Sequence, residues 1–190
     1  MMGKIKTEPH FITAAILLVV TGSIFAQTTD FMELVKTGSS KDVRIAIRNG
    51  GDVNVHDAEN GWTPLMYAAR YNPDPEVLAI LLKSGAKVNA RATNGATPLM
   101  CAAENNTNPE VIYTLMKGGA HVNARADGWT ALICAAGFND NPEVIIALLK
   151  VGANAKLKDN TGRTAFDRAQ FNDRLKGTEA YWARKKAAMD

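Results

Sequence analysis

The chain contains nearly the same thirty-odd residues three times in succession. Residues 61–94 read GWTPLMYAARYNPDPEVLAILLKSGAKVNARATN, residues 95–127 GATPLMCAAENNTNPEVIYTLMKGGAHVNARAD and residues 128–161 GWTALICAAGFNDNPEVIIALLKVGANAKLKDNT, with lengths of 34, 33 and 34. A period in the thirties with two helical patterns per copy is the signature of a stacked array. One copy cannot bury its own apolar face, so its neighbours must cover it.

Each copy carries its own start and stop signals. Thr63, Thr97 and Thr130 stand where a helix N-cap is needed, and Pro64 and Pro98 follow at the first helical position, where a missing N–H costs nothing. A short helix follows, LMYAA, LMCAA or LICAA, whose alanine pairs Ala68–Ala69, Ala102–Ala103 and Ala135–Ala136 let neighbouring helices approach closely. Asp74-Pro75, Asn108-Pro109 and Asn141-Pro142 repeat the cap-plus-proline device for a second helix, with an apolar face predicted at Val77, Ile80, Leu81 and Leu82. Glu76, Glu110 and Glu143 sit in its first turn, complementing the helix dipole. Gly85, Gly119 and Gly152 stop it. An extended segment then ends in Asn60-Gly61, Asn94-Gly95 or Asp127-Gly128, the dipeptides favoured in tight hairpins. The predicted fold class is an all-α solenoid of helix-turn-helix units with projecting β-hairpin loops.

GWTPLMYAA, PEVLAILLKSGAKVNA and their copies resemble ankyrin repeats, in register over roughly residues 28 to 176. The resemblance divides the chain into an N-terminal cap repeat at 28–60, full repeats at 61–94, 95–127 and 128–161, and a C-terminal cap at 162–190. The first keeps Asp42-Val43 and Gly51-Asp52-Val53-Asn54 without the Thr-Pro-Leu entry. The last has Gln170 where the second alanine belongs, and ends in EAYWARKKAAM. There are also departures. The family usually places a histidine after Thr-Pro-Leu to tie the turn together. Here Met66, Met100, Ile133 and Asp167 occupy that position, and the polar tie is expected to be absent in all of them. Each full unit has one residue more than usual between its helices. The hairpins shorten from Asn54–Gly61 to Asn89–Gly95 to Asn123–Gly128, which predicts an uneven comb.

Residues 1–26 do not share this pattern. Lys4 and Lys6 precede the apolar run FITAAILLVV, and TGSIFA leads to a cut expected after Ala26, the layout of a cleavable secretory signal. Ile24 is larger than the ideal residue near such a cut, and no cysteine follows for lipid attachment. The mature domain would run from residue 27 to 190 and be periplasmic or secreted. Losing Lys4, Lys6 and Glu8 takes the formal charge from +3 to +2. So small a charge, with no basic run interleaved with aromatics, argues against nucleic acid. No membrane association is expected after cleavage. Arg184-Lys185-Lys186 is read as a solvated helix end.

No catalytic constellation emerges. His56 and His121 fall near hairpin bases in different units without a second ligand at metal spacing, and every glycine is punctuation at the repeat period. Cys101 and Cys134 replace Tyr67 at equivalent positions of successive units. Stacked helices lie about 10 Å apart, beyond the ~7 Å reach of a disulfide, so two free packing thiols are predicted. A redox-sensing role is the alternative. The chain is expected to be no enzyme and to need no cofactor or metal.

What remains is recognition. The resemblance implies partner binding on the concave face formed by hairpin tips and first helices. The matching positions are Trp62, Arg70, Tyr71, Arg91, Asn94, Asn105, Arg125, Trp129, Phe138 and Arg163. Tryptophan, tyrosine and arginine dominate interface hot spots. Against this, each tryptophan could simply pack on its own hairpin. The expected function is a monomeric, exported, non-catalytic module docking a protein partner. The alternatives are a periplasmic protective or stress-response accessory acting on a client enzyme, and a secreted effector binding a host protein.

Overall fold

The computed structural model describes residues 31–175. The leader expected at 1–26 and the end of the C-terminal cap lie outside them. Helix α1 covers residues 31–37. It is followed by α2 Ser40–Arg48, α3 Pro64–Tyr71, α4 Pro75–Lys83, α5 Pro98–Asn105, α6 Pro109–Lys117, α7 Ala131–Phe138, α8 Pro142–Lys150 and α9 Ala165–Ala169, then a 3-10 turn at Asp173–Leu175. Helices α3, α5, α7 and α9 pack side by side in one layer, and α2, α4, α6 and α8 form a second. None of these helices is long and apolar enough to cross a membrane.

The caps form where the sequence places them. The hydroxyls of Thr63, Thr97 and Thr130 accept from the N–H of Met66, Met100 and Ile133. The side chains of Asp74, Asn108 and Asn141 accept from Glu76, Glu110 and Glu143. Gly85, at φ 92°, turns the chain left-handed out of α4, a conformation that costs a residue with a Cβ. One apolar core runs between the layers from Phe31 to Leu175, with Ala68, Ala69, Ala102, Ala103, Ala135 and Ala136 fully enclosed.

Three details differ from the sequence reading. Helix α4 buries Val77, Leu78, Ile80 and Leu81, while Leu82 is only partly buried. The reason is lateral. Leu82 points along the stack, so that a Cβ on Gly118 of the next unit would meet its Cδ1 at 2.9 Å. Asp167, expected to leave its turn untied, ties it: its carboxylate accepts from the backbone N–H and hydroxyl of Thr164 at 2.8 and 2.7 Å, closing a capping box. The hairpins hold no regular strand among the described residues, only isolated bridges at Ala126↔Trp129 and Lys158↔Thr164.

The residue after α3, α5 and α7 is a buried asparagine, Asn72, Asn106 or Asn139, and the buried Asn172 takes the same part three residues beyond the end of α9. Each amide reaches back one unit and donates to two carbonyls. Asn106 Nδ2 meets Ala69 O at 3.0 Å and Asn72 O at 2.8 Å, while its Oδ1 accepts from Asn108 N–H. Asn72, Asn139 and Asn172 make the corresponding pairs. A second ladder on the opposite edge uses Asn54, Asn89 and Asn123, which donate to Gly85, Gly119 and Gly152 O. The longer inter-helix turn, noted from sequence only for its extra residue, is therefore a staple between units.

Candidate functional site

The hairpins place the residues that follow their tip glycines, and no two of the three in the full repeats are built alike. A backbone bond joins Asp57 N–H to Trp62 O, Ala92 to Ala96, Ala126 to Trp129 and Asp159 to Arg163. Those bonds enclose loops of four, three, two and three residues. Only Asp127-Gly128 is a two-residue turn, with both φ values positive at 45° and 84°.

The first and last of these hairpins are sealed by a carboxylate. Asp57 accepts from the N–H of Glu59, Asn60 and Trp62 and from the Tyr67 hydroxyl at 2.9 Å. Burial pushes its pKa up, but these bonds outweigh burial and hold it below the ordinary aspartate value. Tyr67 is pushed up to about 12 by burial and by the neighbouring Asp57 charge. At the far end Asp159 accepts from the Thr161 hydroxyl and from Thr161 and Arg163 N–H, and pairs with Arg168, whose Nε lies at 2.6 Å. Its carboxyl is likewise held low, the Thr161 and Arg168 bonds overcoming desolvation. The two interior hairpins have Ala92 and Ala126 in place of the aspartates, and Cys101 and Cys134 in place of Tyr67 and Arg168. Four small residues replace four large ones, leaving space at that point.

The aromatic residues border this space. Trp62 packs on Tyr67 with ring centroids 5.1 Å apart, and the Arg70 guanidinium lies 5.6 Å from the Trp62 ring and 5.6 Å from Tyr71. Arg70 also forms a two-pronged ion pair with Glu104, at 2.6 and 3.4 Å. Trp129 stacks on Phe138 at 5.4 Å, and Arg168 covers the Trp129 ring at 4.7 Å. Between the tryptophans, over Ala96, Ala126, Cys101 and Cys134, opens a groove of about 260 Å³ bordered also by Asn94 and Glu104.

The structure brings together some of the residues singled out from sequence. Trp62, Asn94, Trp129 and Phe138 line the groove. Arg70 flanks it through Trp62 and Glu104, and Tyr71 stands half-exposed beside Arg70. Arg91 and Arg125 do not line it. Arg91 donates to Gly95 O and Arg125 O, and Arg125 to Lys158 O, stapling one hairpin to the next. Asn105 is the exposed end of α5, and Arg163 lies over Phe171 at 5.2 Å. Sequence reasoning missed Arg168 as a site residue, and placed Glu104 and Ala96 on this face without singling them out. One signal was available: Arg70 and Glu104 carry opposite charges one period apart. Both thiols are free. Burial pushes each up to about 12, so both are held in the protonated form at neutral pH.

A family model described as ankyrin repeats, in three copies, matches residues 31–126 and again 106–180. This chain belongs to the ankyrin-repeat family. Among similar proteins, SH3 and multiple ankyrin repeat domains protein 1 of Homo sapiens and its Mus musculus counterpart are each 39% identical over 62 residues. That stretch is 33% of this chain and 3% of either relative, so the match spans only a small part of those proteins. The ankyrin array is a non-catalytic fold that generally binds protein partners. In this ankyrin domain the groove interrupts an otherwise filled row of hairpins.

Proposed function

We propose that this is an exported, monomeric ankyrin-repeat protein that docks a protein partner on its concave face, centred on the groove between Trp62 and Trp129, without catalysis. The observation that carries the reading is the groove itself. Two tryptophans and Phe138 border small residues, the arrangement in which a partner's anchoring side chain is desolvated. The scaffold beneath is rigid, so little ordering cost opposes binding. Thiols held in the protonated form count against a thiol-based protective role, which leaves contact as the mode of action. Export rests on the leader pattern at residues 1–26, and N-terminal sequencing of the exported protein should begin at Gln27.

The deciding experiment is a Trp62→Ala/Trp129→Ala double variant. It is expected to keep the helical circular-dichroism spectrum and lose a partner captured by the parent protein. Capture at parental strength by a folded double variant would refute the concave-face reading.

A further inference from the structure

We propose that the groove receives an arginine side chain of the partner, held by the Glu104 carboxylate beside Trp129; this rests on the concave-face reading above. The protein carries a template for such an occupant. Arg70, Glu104 and Gly137 are equivalent positions at the ends of α3, α5 and α7. In the first of these units Arg70 sits over two rings, Trp62 and Tyr71, and reaches one unit along the stack to Glu104. Two units on, Trp129 and Phe138 hold the equivalent places with glycine in place of the arginine; the two rings stack on each other at 5.4 Å, and Arg168 lies 4.7 Å from Trp129. A Cβ on Gly137 would meet only the Trp129 ring, at 3.6 Å, which is ordinary contact. The row reads cation, anion, no side chain, and the groove opens beside its middle member, over Ala96, Cys101, Ala126 and Cys134.

Charge fits the same occupant. Among the described residues, the charged ones lining the groove are Glu104 and Asp127, and no lysine, arginine or histidine lines it. The Glu104 side chain stays 36% exposed although it is paired with Arg70. A guanidinium is planar, stacks on aromatic faces and is weakly hydrated, which suits a slot between ring and carboxylate better than an ammonium. At about 260 Å³ the groove is smaller than the pockets that enclose whole small-molecule ligands, and has the scale of a single long side chain.

The test uses the pentapeptide Gly-Gly-Arg-Gly-Gly, blocked at both ends, and its neutral citrulline analogue, followed through the Trp62 and Trp129 indole N–H resonances. The arginine peptide should shift the Trp129 signal saturably, and the citrulline peptide at least about tenfold more weakly. Glu104→Gln should weaken arginine binding by about tenfold. Arg70→Met should strengthen it severalfold, because Glu104 then loses its internal partner. Equal binding of both peptides, or arginine binding unchanged in Glu104→Gln and Arg70→Met, would overturn the inference. If the double tryptophan variant loses a captured partner that folded Glu104→Gln retains, the arginine anchor fails while the concave-face reading stands. If both variants retain it, both fall.

Discussion

The two edges of this stack follow opposite rules. On the inter-helix turn edge, Asn72, Asn106, Asn139 and Asn172 repeat one geometry four times, each clamping two carbonyls of the unit before it. On the hairpin edge, loop lengths change from unit to unit. The sealing pair changes too, from Asp57–Tyr67 to Ala92–Cys101, Ala126–Cys134 and Asp159–Arg168. Stacking demands only that each unit present the same surface to the next, and the asparagine edge meets that demand. At the hairpin bases Asn54, Asn89 and Asn123 also repeat one geometry; the hairpin tips are thereby released to vary, and their variation produces the groove.

The sharpest way to break the comparison is Asn106→Ala. It orphans the carbonyls of Ala69 and Asn72 and the Asn108 amide in a buried setting, and should cost about 4 kcal/mol. Urea titration should show a broadened transition as the halves of the array uncouple. A sharp two-state curve at parental midpoint would mean that the clamps are decorative.

Asp159→Ala comes next, at about 3 kcal/mol, because Arg168 loses its buried partner and the last hairpin its seal. The same aspartate makes a pH test. Asp57 and Asp159 are held below their ordinary values in the folded chain. Their contribution is therefore full above about pH 4, where unfolded aspartate is ionised, and is lost as pH falls through their folded values. An Asp57→Ala/Asp159→Ala variant should have a visibly flatter acid limb in a Tm-against-pH series.

The smallest expected effects lie around the groove. Arg70→Met breaks a pair open to solvent on the glutamate side and should cost about 0.5–1 kcal/mol. Cys101 and Cys134 lie on the groove floor with pKa values of about 12 against an ordinary 9.0. At pH 8 their alkylation should run roughly a thousandfold slower in the native protein than in urea, from the thiolate fraction alone. Labelling at equal rates would show that the floor opens.

The helices, their caps and their glycine stops were legible in residues 61–161, because a threonine, proline or glycine acts within one turn of its own position. The tryptophans and arginines were legible as a group, though not as roles. Arg91 and Arg125 looked like free contacts, yet they donate to neighbouring hairpin carbonyls. Leu82 looked like core and instead covers Gly118 of the next unit. The polar tie at Asp167 was missed because the expectation concerned a histidine, whereas a carboxylate serves the same two Thr164 donors.

By itself, then, the sequence determined the period, the unit and the family, since those follow from residue spacing and local capping. Tertiary structure decided which unit answers which. Arg70 finds Glu104, Arg168 of the last helix covers Trp129, and Asn106 reaches Ala69. All of these depend on superposing residues a few dozen positions apart, a geometry fixed only when the helices stack. The groove arose for the same reason, because the small side chains of Ala96, Ala126, Cys101 and Cys134 leave a space only once their neighbours stand around it.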